Sequence, residues 1–465
     1  MPIAQVIGEE DGIGRGWRML MERLSVGRGI SLPSLSAAGC RLAAWSTGAY
    51  ARIRRQFHLP IGRFEGVQEK LAEIGEGAAI TESTVRLLTA GIGADAKPAI
   101  ATAIGKRYLT EWMRRVILAA MDVHGGRGIC LGPSNYIGRV YQAVPIGITV
   151  EGANILTRSL MIFGQGAMRC HPYLRAEMDA AHAGDLAAFD AALAGHLQHA
   201  TAVMSRAVWL GLLGRWARPS AQVAHELRAP LAQMTRLSAA LAAAAEVAFA
   251  ALGGRLKRME MISGRFADAW AELFLASALV HARACGEVPE AMRPIWRLAL
   301  AGCLHRSEEA LLAIAREFPI RALRPVLRVL IAPRGRLCPP PSDAMRKAAA
   351  ESMLEAGPLR AHWQELMFVP DDPEDILGRL EHALEAALRT EPIERKLRKA
   401  GAPAWTLGED YAAWAKARAA EGVITNDEAE TLIAAHEAIR RAIAVDAFDD
   451  LSSPARPRRR RTRRR

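Results

Sequence analysis

Apolar residues recur at helical spacing along most of the chain, which predicts an all-α protein. A first helix is indicated by the apolar face that Leu35, Leu42, Ala49 and Ile53 share. Because the fixed φ of proline suits a first turn, we expect this helix to begin at Pro33. Strand-like alternation of apolar and polar residues is scarce.

The same pattern continues beyond a break at residues 58–62. It places three more helices, at residues 67–88, 98–116 and 155–163. Gly125 stops the third helix, and Gly164 with Gly166 closes the fourth. Four long helices imply an antiparallel bundle.

Further helices are expected over residues 185–450. The most apolar run, residues 237–252, is rich in alanine and contains Glu246, so we interpret it as a packed helix and predict no membrane span. Successive prolines within residues 332–343 predict a loop. The first residues combine acids and glycines, unlike an export signal.

Charge is concentrated at one end of the chain. Of the formal net charge of +12, eight units come from arginines within residues 456–465, and the Ser, Pro and Arg content there predicts a disordered tail. Such a tail attracts polyanions, but no aromatic residues alternate with its arginines, so we expect no specific nucleic-acid binding. Attraction to anionic lipid, about 1 kcal/mol per basic residue, favours peripheral membrane contact.

Six cysteines without CxxC spacing argue against a zinc site and against a disulfide scaffold, so we predict no metal and a reducing cytoplasm. The expected location is therefore the cytoplasm, with the inner face of the membrane as the site of any tail contact. The remaining composition, 51% hydrophobic and 24% charged over 465 residues, is that of an ordinary globular protein of two or three domains.

Candidate chemistry lies in residues 121–170. Gly125, Gly126 and Gly128 lack a Cβ and can bring backbone N–H groups close to a phosphate, although a glycine cluster also serves as a plain helix stop. Glu151 and Gly152 precede the predicted fourth helix. A glutamate there is commonly just a favourable charge in a first turn, but one buried beside an apolar chain becomes a stronger base.

This segment resembles the acyl-CoA dehydrogenase family, in the glycines of HGGRG and in VEGANILTR. The segments VEGANILTR and IFGQGAMRCHPY are similar in sequence to the bacterial long-chain, fatty-acid-induced branch of that family. The resemblance implies a flavin adenine dinucleotide (FAD) site at the glycines. It also implies that Glu151 is the catalytic base, with its backbone N–H and Gly152 near the substrate thioester.

Other site residues follow from the same resemblance. Arg54 and Phe57, in RRQF, match family residues that reach the dinucleotide of a neighbouring subunit, and Gln68 matches a family glutamine at that flavin. Asp122 stands where many members carry a glutamine facing the flavin. Arg28 matches an arginine near the catalytic carboxylate. Without the resemblance, a solvated basic loop is the better explanation of Arg54, and a capping or surface charge explains Arg28 equally well.

The resemblance covers the family's C-terminal helical bundle, roughly residues 8 to 180, and an additional helical domain after it. It implies that the family's N-terminal helical domain and most of its middle β-domain are missing. The expected domains are a middle-domain remnant and junction (1–27), the four-helix bundle (28–184), a second helical domain (185–450) and the basic tail (451–465).

The predicted function is α,β-dehydrogenation of long-chain acyl-CoA to trans-2-enoyl-CoA in fatty-acid β-oxidation. The expected partners are long-chain acyl-CoA, an electron-transfer flavoprotein or similar acceptor, and further copies of the chain. One alternative is a catalytically silent helical remnant that retains oligomer-forming or membrane-contacting surfaces. Another is a related oxidase that passes electrons to oxygen.

Overall fold

The computed structural model describes residues 2–94, 96, 98–214, 223–406 and 408–448. Across these residues, the only sheet is a hairpin of β1 (Arg55–Gln56) and β2 (Leu59–Pro60), and nearly all the rest is helical. The predicted all-α class is confirmed. The arginine-rich tail lies outside the described residues, so its predicted disorder and membrane contact stay predictions.

Helices follow one another along the whole described chain. Its first part contains α1 (Glu9–Gly12), α2 (Gly16–Ile53), α3 (Glu65–Gly93), α4 (Ala99–His124), α5 (Gly126–Ile129), α6 (Gly138–Thr149), α7 (Asn154–Leu156), the π-helical segment Thr157–Gln165 and α8 (Gly166–Cys170). Its second part contains α9 (Leu174–Ala183), α10 (Leu186–Leu213), α11 (His225–Leu252), α12 (Glu260–Ala284), α13 (Arg293–Glu317), α14 (Arg324–Ile331), α15 (Asp343–Leu354), α16 (Pro358–Glu365), α17 (Ile376–Lys399), α18 (Tyr411–Ala420) and α19 (Asn426–Ile443). Short 3-10 turns lie at Ile3–Gln5, Ile61–Arg63, Gly253–Arg258, Glu290–Met292 and Arg321–Leu323.

The bundle is built on α2, α3 and α4, which pack against one another, while α6 and the π-helical segment pack on α4. On the other side of α3 lie α12, α13 and α15, and one hydrophobic core runs through both groups of helices. It includes Trp45 and Ile74 of the bundle together with Phe266 and Trp296. The core is therefore continuous across the predicted limit at residue 184, and the proposed domain limits stay a prediction.

The prediction that Pro33 begins the first helix is wrong. α2 begins at Gly16 and runs through Pro33 without a break. Proline removes one backbone hydrogen bond, but α2 packs along α4 there, and an added Cβ on Gly29 would come within 2.5 Å of Thr102 Cγ2. This close packing between helices outweighs the local preference of proline.

The prediction that Gly164 and Gly166 close a helix is also wrong, since the helix continues to Cys170. A Cβ on Gly166 would come within 3.0 Å of Ile100 and 3.3 Å of Trp270. This glycine lets α4 and α12 approach the helix, so its small size serves packing and not termination.

The apolar residues 237–252 belong to α11, which contacts α10, α12 and α13. Among the described residues, the one continuous helix long and apolar enough to cross a membrane is His225–Arg258, and half of its apolar window is buried inside the protein. The bent pair of α6 with Asn154–Gln165 meets the same test only if it is taken as one span.

Candidate active site

Glu151 lies in the sharp bend between α6 and α7, just before the helix that it was predicted to precede. Its φ of +55° is in the left-handed region, and Gly152 follows with a φ of +91°. A left-handed glutamate costs about 1 kcal/mol or more. Conformations of this cost are held by surrounding structure and concentrate at functional sites.

Arg28, from α2, lies against this bend. Its Nε donates a hydrogen bond to the backbone oxygen of Glu151 at 3.1 Å, and the arginine is 3% exposed. Burial lowers the pKa of Arg28, and the Glu151 carboxylate opposes that shift. The Oε2 atom of Glu151 is buried and has no hydrogen-bond partner among the described residues, so one carboxylate oxygen is left available. The predicted pairing of Arg28 and Glu151 is present.

Lys106, on α4, is a site residue that the sequence analysis missed. It is fully buried, and its Nζ donates hydrogen bonds to the Gly152 oxygen at 2.7 Å and to Asn154 Oδ1 at 2.8 Å. Its pKa falls to about 8 because burial disfavours the charge and Arg28 repels it, while Glu151 opposes the shift. Neither the helical spacing of α4 nor the family resemblance indicated this lysine.

Asn154 anchors the other end of the bend. It is buried, and its Nδ2 donates to Thr110 Oγ1 at 3.0 Å and to Glu111 Oε1 at 3.1 Å. With Lys106 on its Oδ1, the amide is held on both sides by α4. The bend that carries Glu151 is therefore fixed by side chains from α2 and α4.

The glycine turn lies at the end of α4. Gly125 terminates the helix with a φ of +57°, and no atom would contact a Cβ added there, so its backbone faces open space. His124 stacks on Tyr50 at 4.2 Å and lies within 2.7 Å of the Tyr136 hydroxyl. Burial lowers the pKa of His124 to about 4, so this imidazole is neutral and acts as packing.

Arg54 approaches the glycine turn from α2. Its backbone N–H donates to the backbone oxygen of Tyr50 at 2.9 Å, and burial raises the pKa of the Tyr50 phenol while Arg54 and Arg127 oppose that shift. The ring of Tyr50 in turn rests on His124, directly before Gly125. Arg54 and Gly125 are thus on one side of the bundle.

The other predicted flavin residues are placed differently. Phe57 is 85% exposed at the tip of the β1–β2 hairpin. Gln68 is buried on α3, and exposed Asp122 pairs with Lys70 at 3.0 Å. In the described part of the chain, no hydrogen bond or ion pair joins Phe57, Gln68 or Asp122 to the Glu151 bend.

Two family models match the chain. The C-terminal domain of acyl-CoA dehydrogenases matches residues 14–162, and the bacterial-type acyl-CoA dehydrogenase C-terminal domain matches residues 168–448. The second model alone covers more than half of the chain. The chain belongs to the acyl-CoA dehydrogenase family.

Individual relatives match over shorter stretches. Protein HemX of Proteus mirabilis is 57% identical over 49 residues, 10% of this chain and 29% of that protein. The mitochondrial very long-chain specific acyl-CoA dehydrogenase of Mus musculus is 30% identical over 169 residues, 36% of this chain and 25% of that enzyme. The chain thus spans less than two-fifths of the length of these curated relatives.

Among solved structures, an acyl-CoA dehydrogenase from Bacillus anthracis complexed with FAD aligns with a TM-score of 0.55 at 19% identity. The alignment covers 73% of this chain and 57% of the other. At this identity the likeness shows a shared fold.

A segment from the far end of the chain crosses the glycine turn. Arg127 donates to the Ala444 oxygen, and a Cβ added to Gly126 would lie 3.7 Å from Val445. The Asp446 carboxylate accepts the backbone N–H of Ser134 at 2.9 Å. We call residues 444–446 the C-terminal strap. A dinucleotide bound at the predicted glycines would therefore lie next to the C-terminal strap.

Three histidines surround the buried carboxylate of Glu246 on α11. His171 Nε2 lies 2.8 Å and His196 Nε2 3.0 Å from its two oxygens, and His199 Nε2 lies 3.6 Å away. His171, His199 and Glu246 have the spacing of a metal site. However, His171 Nδ1 accepts the backbone N–H groups of residues 173 and 174. Its proton must then be on Nε2, which leaves that nitrogen no lone pair for a metal.

Proposed function

We propose that this chain provides the catalytic helical part of a flavin-dependent acyl-CoA dehydrogenase, with Glu151 as the base. The observation that supports this most directly is the Glu151 bend. It is strained, and it is fixed by Arg28, Lys106 and Asn154. It also carries a buried carboxylate oxygen that no described residue hydrogen-bonds. An oxygen of this kind is suited to accept a proton from a substrate.

The residues present fit a bound flavin on one side. Gly125 offers open backbone, and Arg54, whose guanidinium fork suits a pyrophosphate, would reach the dinucleotide of a neighbouring copy. FAD, when bound, supplies the hydride acceptor. The chain's own part is to remove the proton next to the thioester carbonyl through Glu151, while its backbone N–H and Gly152 hold the thioester oxygen.

The finer features of the proposal rest on the sequence resemblance. We propose long-chain acyl-CoA as the substrate because of VEGANILTR and IFGQGAMRCHPY. An electron-transfer flavoprotein or similar acceptor would reoxidise the flavin, and assembly with further copies would bring Arg54 and Phe57 to a neighbouring dinucleotide. We propose the cytoplasm as the location, with the arginine tail at the inner membrane face.

The first test is flavin binding. FAD is titrated into the purified chain alone and then in the presence of the N-terminal and middle domains of a relative. We expect weak binding alone and a yellow complex with those domains, because the chain supplies one side of the site. A stoichiometrically yellow chain purified alone would show that this account of the site is wrong.

The second test is Glu151→Gln in the yellow complex. Glutamine keeps the size of the side chain but cannot accept the proton, so acyl-CoA should still bind and flavin reduction should slow by about 10² to 10⁴. Glu385→Gln, at an exposed position of α17, is the matched control and should reduce flavin normally. Near-normal reduction by Glu151→Gln would reject the base. A yellow complex that no acyl-CoA bleaches would favour the silent-remnant alternative.

A further inference from the structure

A cleft of about 430 Å³ lies between α4 of the bundle and the helices α12 and α13. Five arginines contribute to its walls, namely Arg107, Arg115, Arg158, Arg265 and Arg306. Its size is within the range of small-molecule sites in proteins. The attraction of this cleft for an anion depends on which of these arginines are already neutralised by carboxylates.

Two of the arginines are paired with acids of α12. Arg158 Nε lies 2.9 Å from Asp268, which also accepts the Tyr108 hydroxyl at 2.7 Å. Arg306 Nε lies 3.0 Å from Glu272, and its Nη1 lies 2.6 Å from Glu76 of α3. These two arginines are therefore neutralised by their own carboxylates.

The remaining acids of the cleft are also engaged. Glu309 pairs with Arg336, outside the arginines listed above. Glu111 accepts Asn154 Nδ2 at 3.1 Å and lies 3.7 Å from Arg114. Each wall carboxylate thus has a partner other than Arg107, Arg115 and Arg265 among the described residues.

Arg107, Arg115 and Arg265 remain without a carboxylate at ion-pair distance in the described part of the chain. The Nε of Arg107 is buried and has no acceptor. Arg107 and Arg115 rest on aromatic rings, Arg107 4.1 Å from the Tyr108 centroid and Arg115 5.4 Å from that of Trp112. Ring contacts orient a guanidinium but do not neutralise its charge.

We propose that this cleft binds a phosphate-bearing ligand. Three guanidiniums without a carboxylate at ion-pair distance attract an anion, and a group with two or more charges matches them better than a single carboxylate. Planar guanidinium forks also match phosphate oxygens in pairs. The phosphate can be that of a free phosphate compound or of the coenzyme A moiety. The site does not depend on the proposed dehydrogenation.

The test must report on individual arginines, because the arginines after residue 455 also attract anions. The full chain is treated with phenylglyoxal, which modifies accessible arginines, and each peptide is quantified by mass spectrometry. We expect pyrophosphate to protect Arg115 and Arg265 while exposed Arg389 of α17 reacts unchanged. Protection that is equal at Arg389, or absent at Arg115 and Arg265, would overturn the proposal.

Adenosine 3′,5′-bisphosphate separates the two sources of phosphate. Protection at about tenfold lower concentration than with pyrophosphate indicates the coenzyme A moiety, and equal or weaker protection indicates a free phosphate compound. Both results support a phosphate site.

A variant tests whether the arginines of the cleft bind the same ligand. Arg265→Gln should raise the pyrophosphate concentration that protects Arg115 by about tenfold, and Arg389→Gln should not change it. Arg265→Lys, which keeps the charge but not the fork, should give an intermediate value and serves if the glutamine variant does not fold by circular dichroism. Unchanged protection of Arg115 in both Arg265 variants would show that the arginines do not form one site.

Discussion

His196 is held between two carboxylates from different helices, and we predict that this contact is a pH-dependent stabiliser. Its Nδ1 lies 2.7 Å from Glu177 of α9 and its Nε2 lies 3.0 Å from Glu246 of α11. Both ring nitrogens face acceptors, so both must carry protons and the ring must be charged. Burial alone lowers the pKa of His196, but the hydrogen bonds with Glu246 and Glu177 raise it overall.

The perturbation is His196→Gln. Charge-assisted hydrogen bonds contribute about 1.5–3 kcal/mol each, and less where solvent reaches the pair. The His196 side chain is 17% exposed, and glutamine keeps one neutral donor for one of the two carboxylates. We therefore expect a loss of about 2 kcal/mol in the free energy of unfolding.

The stabilisation by His196 should decrease as pH rises. Because the folded pKa of His196 lies above its ordinary 6.5, the stabilisation is fully present below that value and is lost as pH rises through the folded pKa. The groups that face the ring from neighbouring elements are His171, Glu177 and Glu246, with Tyr173 stacked on it. The difference between wild type and variant should thus shrink at alkaline pH.

Urea unfolding at a series of pH values measures this difference, since urea, unlike guanidinium, does not screen charges. The control is His182→Gln, an exposed histidine near the end of α9 whose loss should be neutral at every pH. A loss for His196→Gln that is the same at pH 6 and pH 9 would refute the charged ring. Stabilisation of the wild type by zinc that requires His171 and His199 would instead support a metal at this cluster.

Three further predictions concern other parts of the structure, each measured by urea unfolding. Gly48→Ala should cost about 1–3 kcal/mol, because the added Cβ would lie 2.5 Å from the Met353 carbonyl oxygen, and an unchanged midpoint would contradict this contact. Glu308→Ala should cost about 3–5 kcal/mol, because it leaves Arg236, 1% exposed and 2.6 Å from that carboxylate, buried without a counter-charge. The pKa of Lys106, about 8 against an ordinary 10.5, means that the unfolded chain binds the proton more tightly, so stability should rise between about pH 8 and 10.5. Lys106→Met should lose that rise, and a parallel pH profile would count against the shifted pKa.

The sequence by itself determined what depends on near neighbours in the chain. Helical spacing predicted the class and the positions of α3 and α4, and Gly125 marked the end of α4 because a positive φ suits a residue without a Cβ. The family resemblance, which compares whole stretches of sequence, placed Arg28 and Glu151 in one site, and the structure brings them together.

Tertiary structure decided what depends on residues far apart in the chain. Pro33 lies inside a helix because packing on α4 outweighs a local preference, and Gly166 is small because two other helices approach it. Lys106 and His196 became visible only when the fold brought oxygens to their nitrogens, from the Glu151 bend and from α9 and α11. A pattern of spacing records which residues share a helix face, whereas burial and charge pairing depend on what that face meets. The packing of the whole chain determines which residues lie against each helix face.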